Sequence, residues 1–103
     1  MKLKQLIKSN LPNLRYFNRK RKNGLKTCLG PDNYSYRMFF SSFKNTLNES
    51  FEEDLKNIEY FIDIGSNIGW YSLCAVKSSN CNVISVEPHP NTFITLLTNI
   101  KIN

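Results

Sequence analysis

The stretch FIDIGSNIGWYS, residues 61–72, decides how this chain folds. It reads as a strand that breaks at a glycine turn and restarts as a helix. Tyr60 to Ile64 is a short apolar run around one acid, Asp63, the pattern of a strand buried on both faces of a parallel sheet. Gly65 allows a sharp turn where a side chain would clash. Gly69 has no Cβ, so the next segment can press close to the sheet or to a ligand. Residues 67–78 are then expected to form a helix that is apolar most of the way round and largely buried. The sequence CNVISVEPHP, residues 81–90, supplies a second buried strand over 83–86, ending in Glu87. Residues 91–102 follow as a helix, with Phe93, Leu96, Leu97 and Ile100 at helical spacing. Strand, helix, strand, helix predicts a parallel βαβα unit with a right-handed crossover.

Ligands of open parallel sheets bind beyond the carboxyl ends of the strands, and both stretches end there. Ser66 and Asn67 are expected at a helix N-terminus, where free amides favour polar or anionic groups. Asp63 sits at the mouth and can balance a cationic ammonium; its other reading is a cap for the glycine turn. Glu87 lies 24 residues after Asp63, where a carboxylate can accept hydrogen bonds from both hydroxyls of a ribose. Pro88 and Pro90 stiffen the loop that would wall the base. A dinucleotide fingerprint needs a middle glycine for the pyrophosphate. Here that position is Asn67, which disfavours NAD and FAD and suits a nucleoside without a pyrophosphate, such as S-adenosylmethionine. The Walker phosphate-loop pattern is absent from the chain.

FIDIGSNIGWYSL followed by VISVEPHPNTFITLLTNIKIN resembles the FkbM family of S-adenosylmethionine-dependent methyltransferases. The first motif of that family reads approximately D-[IV]-G-[AS]-N-[IV]-G. The second reads E-P-x-P, followed by a helix ending near N-x-x-x-N, which Asn99 and Asn103 fit. The resemblance covers residues 50–103. It implies a Rossmann-like class I methyltransferase fold, with cofactor contacts at Asp63, Gly65, Ser66, Asn67, Gly69 and Glu87. It also implies O-methylation of a sugar or other small acceptor, whose hydroxyl would attack the methyl of the sulfonium in line. The full fold has more strands than the two clear ones here. The chain is therefore expected to be an N-terminal portion, truncated to the first βαβα unit, inactive alone and open to a complementing C-terminal portion. The catalytic base is not identifiable.

Two domains are expected: a basic extension over 1–45 and a partial cofactor-binding domain over 46–103. At 103 residues there is room for one domain and little more. The net charge of +6 is uneven, because residues 1–26 carry nine basic residues and no acid. Such an arm can steer toward phosphates or an anionic membrane, or be no more than a solvated N-terminus. With the helix ending NIKIN it admits an RNA methyltransferase as a second reading, against which Glu87-Pro88 counts. A third reading is a non-catalytic remnant or half of a split protein.

Leu3, Leu6 and Ile7 would line one face of a short helix over 2–8 that ends before Pro12. Residues 13–33 read as irregular, and 34–43 as strand or helix without a decision. A helix is expected over 46–57, opened by a capping box of Ser50 and Glu53, with Leu47, Phe51, Leu55 and Ile58 as its stripe. Cys28, Cys74 and Cys81 have no metal-ligand spacing and read as reduced thiols of a cytoplasmic protein. No run approaches the ~18 apolar residues of a spanning helix. His89 could act as a base, though a loop position beside the base wall is the simpler reading. Trp70 and Tyr71 could stack on a ligand, but aromatics early in a buried helix usually pack in a core.

Overall fold

The computed structural model describes residues 18–30, 33–40 and 49–103. The expected helix over 2–8 lies outside them. Two short strands come first, β1 (Asn18–Lys20) and β2 (Lys26–Cys28), paired antiparallel with Arg19 opposite Thr27. They are closed by hydrogen bonds from Arg21 N to Leu25 O (2.7 Å) and from Gly24 N to Arg21 O (2.9 Å). This hairpin replaces the irregular segment expected there. Each strand is only three residues long, and β1 is exposed throughout, so no apolar alternation marks it.

Helix α1 (Asn33–Phe40) settles the undecided aromatic stretch. Ser35, Tyr36 and Met38 are its buried positions, while Tyr34 and Arg37 are exposed. Helix α2 (Glu49–Leu55) lies within the expected 46–57. Ser50 falls inside its first turn instead of at the cap, and Leu47 lies outside the described residues. Leu55 is buried and Phe51 half-buried, but Ile58 lies beyond the helix and is exposed.

The decisive stretch forms β3 (Tyr60–Ile64), then a turn, then α3 (Trp70–Ser78). Strand β4 (Asn82–Val86) pairs with β3 in parallel, placing Asp63 level with Ser85 and Ile64 level with Val86. Helix α4 (Pro90–Ile102) starts with proline at its first position, where a missing N–H costs nothing. The chain is thus mixed α/β, with two small sheets and four helices among the described residues.

Among the described residues the β3–β4 sheet is covered on one face only. Phe61, Asp63, Val83 and Ser85 face α3 and are half-buried. The ring of Phe51 packs edge-on against Phe61 and Tyr71, tying α2 to both β3 and α3. The opposite face carries Tyr60, Ile62, Ile64, Ile84 and Val86, all exposed, with Ile64 at 81%. Burial on both faces, expected from the unbroken apolar run, is therefore not seen. An apolar run records that a strand can be covered twice, not that it is.

The main core gathers Leu25, Met38, Ile68, Trp70, Leu73 and Cys74, with Phe51 packed against it. The hairpin turn and α1 therefore share a core with the glycine turn and α3. A second cluster joins Leu29, Tyr36 and Phe39. Strand β2 also rests on α4. Asn103 Oδ1 accepts from Lys26 N (2.7 Å), and its Nδ2 donates to Lys26 O (2.8 Å). One turn earlier, Asn99 Oδ1 accepts from Cys28 N (2.7 Å). Residues four apart share a helix face, and Lys26 and Cys28 share the outer edge of β2. The two carboxamides of α4 therefore pair with the hairpin as a further strand would.

Candidate functional site

The turn between β3 and α3 has three left-handed residues in alternation: Gly65 (φ 74°), Asn67 (φ 52°) and Gly69 (φ 83°). Asparagine is among the non-glycine residues that best tolerate this region, because its short polar side chain can hydrogen-bond to nearby backbone. Asn67 thus keeps the backbone path a glycine would give while adding a polar side chain. A Cβ on Gly65 would meet nothing, so only its φ calls for glycine. A Cβ on Gly69 would overlap Leu96 Cδ1 of α4, so Gly69 is required twice, by φ and by packing. The neighbour that comes close at Gly69 is α4, and not the sheet or a ligand as expected.

Helix α3 begins three residues later than the expected 67, with Gly69 at its cap. Gly65 N and Ser66 N both donate to Val86 O, at 2.9 and 3.0 Å, which carries the sheet pairing one step into the turn. Gly69 N donates to Ser66 O (2.8 Å). Asn67 N donates to Glu87 Oε2 (2.9 Å), and His89 N donates to Glu87 Oε1 (2.8 Å). Glu87 thus clasps the turn from the end of the neighbouring strand. Each carboxylate oxygen accepts one bond here and carries a further lone pair.

Ser66 is 6% exposed, and its Oγ has no hydrogen-bond partner among the described residues; nor does the buried Oδ1 of Asn67. Buried polar atoms are normally paired, so two unpaired ones in one turn are groups a ligand could satisfy. Asp63 Oδ2 accepts from Ser72 Oγ (2.6 Å), which in turn accepts from Ser85 Oγ (2.6 Å). Asp63 is thus oriented by α3 and does not cap the turn. The structure brings Asp63, Gly65, Ser66, Asn67, Gly69 and Glu87 to the carboxyl ends of two adjacent parallel strands.

His89 is the N-cap of α4, its Nδ1 facing Thr92 N at 3.5 Å and Thr92 Oγ1 at 3.3 Å. Trp70 is buried in the core, whereas Tyr71 is exposed and touches Phe51. Burial pushes the Cys74 thiol up to about 12, helped by the charge of Glu52. Cys81 is half-buried, with Ser79 Oγ at 2.9 Å from its sulfur.

Asn99 figured in the sequence only as part of the helix ending, and its contact with the turn was not foreseen. Asn99 is fully buried, and besides accepting from Cys28 N its Nδ2 donates to Ile68 O (2.8 Å), inside the glycine turn. The visible signal was a polar residue on the Thr92–Leu96–Asn99 face of α4, the face that is buried.

A cavity of about 490 Å³ lies elsewhere, between α3, β4, the hairpin turn and the end of α4. Leu25, Leu73, Val76, Val83 and Ile100 line it, and none of the six predicted site residues does. Its walls carry no carboxylate. Among the described residues no group of acids, histidines and cysteines could hold a metal, and no helix is long and apolar enough to cross a membrane. No family model, curated protein or solved structure matches the chain.

Proposed function

We propose that this chain carries the cofactor-binding portion of an S-adenosylmethionine-dependent methyltransferase, Rossmann-like and related to the FkbM family. The observation that carries the reading is the left-handed Gly65–Asn67–Gly69 turn, clasped by Glu87 from the next parallel strand. The residues fit the cofactor's parts. The free lone pairs of Glu87 can accept the two ribose hydroxyls. Ser66 Oγ and Asn67 Oδ1 are buried and without partners beside the turn. The Oδ1 of Asp63, left over from its bond to Ser72, suits the ammonium of an amino acid moiety. S-adenosylmethionine would supply an electrophilic methyl group, and the acceptor is a sugar or another small hydroxyl compound.

Isothermal titration with S-adenosylhomocysteine tests the reading. Wild-type protein should release heat, and Glu87→Ala should weaken binding at least tenfold while far-UV circular dichroism stays unchanged. No heat from folded wild-type protein would sink the proposal.

Catalysis is proposed to need further strands and helices, from the same polypeptide or a partner, because the open face of β3–β4 leaves five large side chains in water. The exposed Lys20, Lys22 and Lys26 of the hairpin keep RNA as a second class of acceptor. RNA binding that weakens steeply with salt would favour it.

A further inference from the structure

We infer that Asn99 is a positioning residue for the nucleoside turn, and that through it the β1–β2 hairpin sets the turn's geometry; the inference rests on the cofactor reading above. The peptide between Ile68 and Gly69 is held at both ends. Its carbonyl accepts from Asn99 Nδ2 (2.8 Å), and its N–H donates to Ser66 O (2.8 Å). Gly69, at the amide end of that unit, is left-handed. A glycine that tolerates both signs of φ lets a neighbouring peptide plane flip at low cost. With the Asn99 bond absent, the Ile68 carbonyl can rotate and carry the Gly69 N–H away from Ser66 O. The Asn67 amide, one residue earlier, would then lose its alignment with Glu87. Asn99 is itself aimed by the hairpin, because its Oδ1 accepts from Cys28 N. A side-chain amide has two distinct ends, so fixing one fixes the other. The coupling therefore runs from Cys28 N–H through one carboxamide to Ile68 C=O, with every group buried or nearly so.

The test combines two variants with amide exchange on the wild type. Asn99→Leu removes both bonds. Asn103→Leu releases Lys26 from α4 but touches nothing in the turn. Affinity for S-adenosylhomocysteine should fall at least tenfold in Asn99→Leu and stay within twofold of wild type in Asn103→Leu. In the wild type, ligand should slow hydrogen exchange at both Gly69 N–H and Cys28 N–H at least fivefold. If Asn99→Leu does not fold, the wild-type exchange decides. Ligand binding with unchanged exchange at Cys28, or equal losses in the two variants, overturns the coupling alone. No binding to wild-type protein overturns the cofactor reading and this inference with it.

Discussion

Gly65 and Gly69 share a sign of φ but not a reason for it. Open space surrounds Gly65, so Gly65→Asn should cost under about 1 kcal/mol, asparagine being tolerated in the left-handed region. Gly69→Ala adds an overlap with Leu96 to its backbone strain and should cost about 3 kcal/mol or more. Urea titration of the two variants checks the contrast; equal losses would mean that Leu96 moves aside. The pattern G-x-N-x-G was legible as a turn, and Asn67 as the departure that disfavours a pyrophosphate. That Asn67 is itself left-handed was not legible, since the residue type permits this conformation without requiring it. Cys74 gives a second prediction. Its thiol ionises near 12 in the fold instead of the ordinary 9.0, so the folded state holds the proton more tightly. Stability tied to it is fully present below pH 9 and lost as pH rises toward 12. Wild-type protein should therefore lose more stability than Cys74→Ala between pH 9 and 11. At pH 8 a thiol reagent should label the half-buried Cys81 long before Cys74.

Strand β3 appears at its expected bounds, and α4 within one residue of them, because Gly65 follows the first and Pro90 opens the second. Helix α3 starts late because the backbone needs residues 66–69 to turn before it can wind. The hairpin was not foreseen because its strands are only three residues long and its outer edge is held by the carboxamides of Asn99 and Asn103, far away in sequence. Its dependence on α4 can be measured. Truncating Asn103 to alanine should speed amide exchange at Lys26, while that of β3 stays unchanged. Helix α2 is too short to stand alone and relies on Phe51 wedged between Phe61 and Tyr71. Phe51→Ala should cost about 2 kcal/mol, less than a fully buried phenylalanine, by the same urea assay. It should also raise the exposure of Tyr71, seen as a change in its fluorescence quenching.

Across the whole molecule, the apolar face of the β3–β4 sheet is the largest departure from what the strand patterns implied. Exposed apolar patches of this kind mark sites that something covers, or points where copies stick together. The double substitution Ile62→Lys with Ile64→Glu should lower binding of a hydrophobic dye several-fold and move the protein toward monomer in sedimentation. An unchanged dye signal would show that the face is already hidden in solution. Position in the sheet decided this burial, and a strand's own residues do not encode how many layers will form over it. The two sheets also differ in how they end. The outer edge of β2 has its Lys26 and Cys28 amides filled by side chains of α4, so it offers no template to an incoming strand. Among the described residues β3 and β4 pair only with each other, and each keeps one edge free of any strand. Strand addition therefore has two edges at the β3–β4 sheet but one, that of the exposed three-residue β1, at the hairpin: misassembled material should carry residues 60–64 and 82–86 in its protease-resistant core.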